Sequence, residues 1–207
     1  EWEGPMGTVD TKLSNPRGVA VASDGSVYVA DSVNDRIQKL TSEGVFAGLW
    51  GTKGTGDGQF RAPAGVAVAP DGSVYVADTK NDRIQKFTSL GVFVSKWGTS
   101  GTGDGKFNLP NDVAVASDGS VYVADKQNDR IQKFTSEGVF VTKWGTQGTG
   151  DGQLRLPARI AVASDGSVYV ADSYNNRIQK FTSTGVFVIN GARRARAAGS
   201  STTQMAS

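Results

Sequence analysis

A 47-residue unit occurs four times with little drift, each copy holds four short apolar segments between tight turns, and none of them carries a helical period. Together these observations predict an all-β fold: a β-propeller built from four 47-residue, four-stranded antiparallel blades, either a complete ring or an incomplete segment of a larger one. The units begin at Pro16, Pro63, Pro110 and Pro157. Every copy contains Asp-Gly-Ser-Val-Tyr-Val-Ala-Asp and then Arg-Ile-Gln-Lys.

In the first copy, Gly18-Val-Ala-Val-Ala22 is an apolar run that stops at Ser23-Asp24-Gly25. Val27-Tyr-Val-Ala30 follows and ends at Asp31. Arg36-Ile-Gln-Lys-Leu40 alternates polar and apolar residues, Thr41-Ser-Glu-Gly44 turns, and a fourth segment opens at Val45-Phe46 and reaches Trp50. Segments of roughly five residues rich in β-branched and aromatic side chains read as strands. Short turns favour antiparallel neighbours, because a parallel pair needs a long crossover. The repeat length falls between the approximate blade lengths of two known propeller repeats, about 40–45 and about 50 residues, whereas a leucine-rich solenoid repeats every ~20–29.

The recurring residues have structural readings. Tyr28, Phe46, Trp50, Trp97 and Trp144 are expected in packing between blades and on outer strands. Asp24 is expected to cap backbone amides of its own turn. Asp31 with Asn34 and Arg36 reads as a hydrogen-bond and salt-bridge network tying the loop between the second and third strands. Asp78 with Arg83, Asp125 with Arg130 and Asp172 with Arg177 repeat it. Asp31, Asn34 and Asp35 supply only part of a calcium loop, so no metal site and no cofactor are expected. Gly51 to Gly58 lacks the Gly-Lys-Ser/Thr ending of a phosphate loop and the helix behind it, and reads as a connection.

Composition removes several chemistries. There is no cysteine and no histidine, which excludes disulfides, thiolate nucleophiles and the usual general base. Glycine is 27 of 207 residues and recurs at fixed offsets, as turn residues do. No apolar run approaches the ~18 residues of a membrane span, and no membrane partner is expected. The net charge is +2, but Arg193, Arg194 and Arg196 lie near the C-terminus, and without them the charge is −1.

The chain resembles the NHL repeat family in Pro16-Arg-Gly-Val-Ala-Val, Asp24-Gly-Ser-Val-Tyr-Val-Ala-Asp31, Asn34-Asp-Arg-Ile-Gln-Lys39 and the Gly-rich link to Phe60, with equivalents in each later copy. The resemblance covers about residues 16–190. It implies a β-propeller, commonly six-bladed, of a kind found in extracellular sensor regions, RNA-binding proteins, ubiquitin ligases and a peptide-amidating lyase. The sequence itself gives no localisation; the resemblance favours an extracellular or periplasmic setting. The lyase relies on zinc held by histidines, which this chain does not have.

Residues 1–15 read as the end of a preceding blade and its linker, 16–190 as the propeller (16–62, 63–109, 110–156 and 157–190), and 191–207 as a flexible tail. Asp10-Thr-Lys-Leu-Ser-Asn-Pro16 aligns with Asp57-Gly-Gln-Phe-Arg-Ala-Pro63, and Trp2 corresponds to Trp50. At the other end Gly191-Ala-Arg-Arg replaces the expected Trp-Gly-Thr, so both ends read as cuts through a longer array. Near-identical copies also fit a recent amplification or an engineered scaffold.

Most variation falls on one rim, formed by the loop between the second and third strands and the loop into the next blade. Arg17, Arg61, Lys80, Asn108, Asn111, Asp112, Lys126, Arg155, Arg159 and Tyr174 are the candidate binding residues there. Propellers recognise ligands on loops because the strands cannot vary. The expected function is a non-catalytic binding or scaffold module for a protein, peptide or other ligand, or for further copies of the chain completing the ring. The alternatives are an RNA-binding propeller, with rim arginines and lysines on phosphates and Tyr174 stacking, and a histidine-free, metal-dependent enzyme.

Overall fold

The computed structural model describes residues 11–193. Blade 1 comprises β1 (Pro16–Val21), β2 (Val27–Asp31), β3 (Arg36–Leu40) and β4 (Phe46–Trp50). Blade 2 comprises β5 (Val66–Val68), β6 (Val74–Asp78), β7 (Arg83–Phe87) and β8 (Phe93–Trp97). Blade 3 comprises β9 (Pro110–Val115), β10 (Val121–Asp125), β11 (Arg130–Phe134) and β12 (Phe140–Trp144). Blade 4 comprises β13 (Pro157–Val162), β14 (Val168–Asp172), β15 (Arg177–Phe181) and β16 (Phe187–Arg193). Each blade is a four-stranded antiparallel sheet with its strands in chain order, and the four are arranged as a propeller. Strand β16 continues to Arg193, three residues past the expected end of the propeller. The Trp2 correspondence, residues 1–10 and the tail from 194 onward lie outside the described residues.

The pleat gives every blade two unlike faces. One carries the small residues with an aromatic, in blade 2 Ala67, Ala69, Tyr75, Ala77 and Ile84; the other carries branched residues, in blade 3 Val113, Val115, Val121, Val123 and Phe134. These two sets form one core cluster. The alanine face of blade 1 meets the valine face of blade 2 in the same way, and blade 3 meets blade 4 likewise. Small residues opposite branched ones let the sheets interdigitate, and each fully buried large side chain contributes about 1.5–3 kcal/mol.

Aromatic rings complete each junction. Trp50 packs at 5.8 Å on Phe87, Trp97 at 5.8 Å on Phe134 and Trp144 at 5.9 Å on Phe181, always across to the next blade. Tyr28, Tyr75 and Tyr122 each donate a hydroxyl hydrogen bond to a carbonyl of the next blade: Ser89, Ser136 and Ser183. The turn beside that carbonyl needs a glycine. Gly138 has φ +83°, and a Cβ there would lie 2.5 Å from the Trp97 ring. Gly138→Ala should therefore lose about 2 kcal/mol, from left-handed strain and a displaced indole. Urea denaturation checks this, and an unchanged midpoint would show that the ring gives way freely.

Near the axis, the ends of β1, β5, β9 and β13 and the turns after them surround a cavity of about 360 Å³. The Ser-Asp-Gly-Ser turns are capped as expected. Asp24 accepts from the Ser26 amide at 2.9 Å, and that bond holds its carboxyl below the usual range.

Candidate functional site

The site is built on a repeated ionic network. Asp125, at the end of β10, is fully buried. It accepts hydrogen bonds from the Asn108 amide at 2.8 Å, Asn128 Nδ2 at 2.9 Å, Arg130 Nε at 2.7 Å and Gln132 Nε2 at 3.1 Å. The remaining guanidinium nitrogens of Arg130 donate to the carbonyls of Thr102, Gly103 and Lys106 in the glycine-rich link from blade 2. Asp78 with Arg83 and Asp172 with Arg177 repeat the arrangement, and Asp31 with Arg36 reproduces its ion pair at 2.8 Å. Burial pushes the Asp78 and Asp125 carboxyls up, against the pull of their hydrogen-bond donors and arginines. The network thus secures the incoming link as well as the loop between the second and third strands. It gives a loop rim a rigid base.

A second tie joins neighbouring blades. Asp35, Asp82 and Asp129 adopt left-handed backbone, and their carboxylates accept from the amides of Ala62, Leu109 and Leu156, each at 2.7 Å. These ties hold the two variable loops side by side.

Between those loops lies a cavity of about 430 Å³ spread over blades 1 to 3. Arg17, Lys53, Arg61, Lys80 and Lys126 line it, with Asn111 among the neutral residues and Asp35 as the acid. Asp35 is already committed to the Ala62 amide. None of the five cations has a side-chain hydrogen bond or ion pair among the described residues. Several cations elsewhere are paired: Lys96 with Asp57 at 2.6 Å, and Lys39, Lys86 and Lys133 each over a tyrosine ring. Unpaired like charges around one concavity repel one another, and an anion placed among them relieves that repulsion.

Arg17, Arg61, Lys80, Asn111 and Lys126 therefore meet at one place. The other candidates do not. Asn108 is exposed outside the cavity lining. Arg155 and Tyr174 stack on each other at 5.0 Å on blade 4. Arg159 donates to the Arg17 carbonyl at 2.6 Å. Asp112 is buried instead of displayed: it accepts from the Ile160 amide at 3.0 Å and lies 3.8 Å from the Arg159 guanidinium. Burial pushes its carboxyl up to about 6. Lys53 was absent from the candidates, although its change to Ser100 and Gln147 in later copies is the same signal that singled out Lys80. No cluster of three or more potential metal-ligating side chains occurs among the described residues.

The NHL repeat model matches residues 13–40, 60–87, 107–134 and 154–181. The chain belongs to the NHL repeat family. Each match to the NHL repeat starts in the link before a blade and ends with its third strand, so it spans the aspartate–arginine network. No curated protein matches the chain. Among solved structures it is similar to virginiamycin B lyase from Staphylococcus aureus, with 21% identity and a TM-score of 0.67 over 87% of this chain and 56% of the lyase. It is also similar to Kuenenia stuttgartiensis hydrazine synthase, at 15% identity and 0.66 over 89% of this chain and 51% of that one. A third similarity is to a chain of a nidogen/laminin complex, at 16% and 0.65 over 88% and 65%. The chain spans about half the length of the first two. These likenesses describe the fold that the NHL repeats build.

Proposed function

We propose that the chain is a non-catalytic recognition module that holds an acidic segment of a protein or peptide in the basic cavity of its variable rim. The observation that supports this reading is the gathering of Arg17, Lys53, Arg61, Lys80 and Lys126, without side-chain partners among the described residues, around one concavity. The cavity lining contains no aromatic residue. Single-stranded nucleic acid is generally held by base stacking on aromatic side chains as well as by charge, so this lining suits carboxylates better than bases. Tyr174, the stacking candidate of the RNA reading, is taken up by Arg155 outside the cavity.

A fluorescent oligo-glutamate peptide is a direct probe. At low salt it should bind the wild-type chain, and R61E/K80E/K126E should weaken binding about a hundredfold, at roughly 1 kcal/mol per substitution. All three side chains are exposed or half-buried, so the thermal melt should not move. Absence of peptide binding alongside tight, salt-sensitive binding of a short RNA would replace this reading with the nucleic-acid one.

A further inference from the structure

The three junctions inside the chain each press an alanine face onto a valine face, and among the described residues one face of each kind is left over. On blade 4 the alanine face is uncovered: Tyr169 is 37% exposed where Tyr28, Tyr75 and Tyr122 are 1%, and Ile178 is 38% exposed where Ile37, Ile84 and Ile131 are 0%. On blade 1 the valine face is uncovered, with Val19 and Val21 each 66% exposed where Val66 is 5% and Val113 3%. No core cluster joins blade 4 to blade 1 among the described residues.

We propose that these two faces are an interaction surface for a second copy of this chain, joined head to tail, with blade 4 of one copy on blade 1 of the next. The internal junctions show what such a joint contains. The Tyr169 hydroxyl stands where Tyr28, Tyr75 and Tyr122 donate, and the Ser42 carbonyl of the second copy stands where Ser89, Ser136 and Ser183 accept. Lys180 lies over the Tyr169 ring at 5.4 Å, placed as Lys39, Lys86 and Lys133 are beside the tyrosines whose carbonyl they share. The tryptophan contact is missing from this joint, because Gly191 stands in its position. Like faces do not fit: two valine faces bring branched residues against branched residues, and two alanine faces leave both tyrosines without their acceptor. The joint is therefore heterologous, and it closes if the rotation permits or extends if it does not.

Two variants at exposed positions test this in the full chain. V19D spoils the valine face and leaves the alanine face intact; I178D does the reverse. In sedimentation equilibrium the wild-type chain should associate, and each variant alone should self-associate at least about a hundredfold more weakly, since burying an unpaired carboxylate is costly. Mixed together, V19D and I178D retain one good pair of faces and should form a one-to-one dimer that grows no further. A monomeric wild-type chain, a variant that still self-associates, or a mixture that stays monomeric would each overturn the proposal. The cavity cations are untouched, so failure here leaves the peptide-binding result intact.

Discussion

Asp125→Ala should cost the fold about 3–5 kcal/mol, the range for removing one partner of a buried ion pair. The substitution takes away the acceptor of four hydrogen bonds and leaves the Arg130 guanidinium, 6% exposed, with carbonyl acceptors but no counter-charge. It also releases the Asn108 amide that anchors the loop into blade 3. The midpoint of urea denaturation measures the loss. Replacing Arg130 by methionine in the same chain should recover part of it, because the stranded charge is then gone. A loss below about 1 kcal/mol would mean that the network is no stronger than a surface pair.

Asp112→Asn should change how stability depends on pH. The folded carboxyl titrates at about 6, raised from 3.8 by burial, while the Ile160 amide and Arg159 oppose the shift. Below pH 3.8 both folded and unfolded chains hold the proton, and burial of the neutral acid carries no ionisation penalty. As pH rises toward 6 the unfolded chain releases its proton first, so the folded state loses stability, by about 3 kcal/mol in all. Above 6 both forms are ionised and the penalty is constant. Asparagine keeps an acceptor for the Ile160 amide and does not titrate. The stability of the variant relative to wild type should therefore rise by about 2 kcal/mol between pH 4 and pH 7. Parallel pH profiles would show that Asp112 is solvated in the folded chain.

Much of this molecule is legible in its sequence because the repeat multiplies each signal. Asp31 and Arg36 recur in every copy and form the same ion pair in each, and Tyr28 recurs with the same hydroxyl bond to the next blade in the first three copies. What the sequence hides are contacts set by the next blade. Asp35 looks like a loop residue, and its link to the Ala62 amide appears only once two blades are side by side. The short 3-10 helix Thr79–Asn81 has too few residues to show a period. Strand β5 spans three residues, yet the Ala64 and Ala77 amides still donate across the gap as in the longer first strands.

Variation between the copies marks the rim, and variation alone cannot say which variable residues converge. Arg17, Arg61, Lys80 and Lys126 share a cavity because their loops belong to adjoining blades. Arg155 and Tyr174 belong to blade 4, beyond the reach of those loops, and there they satisfy each other. The place of Asp112 in the chain puts it on the rim. Its side chain turns inward to a backbone amide of β13.

The arginine network fastens each blade to the link that precedes it, and the alanine faces of blades 1 to 3 each meet only the next blade, so the cores form a one-dimensional array of nearest neighbours. Cooperativity in such an array is handed along from one unit to the next, not shared through a common centre. Blades 2 and 3 are packed on both faces and blade 4 on one, with the Arg159 hydrogen bond to the Arg17 carbonyl as its tie to blade 1. Melting then proceeds as fraying inward from the ends, and whatever covers an end blade governs the lifetime of the whole row.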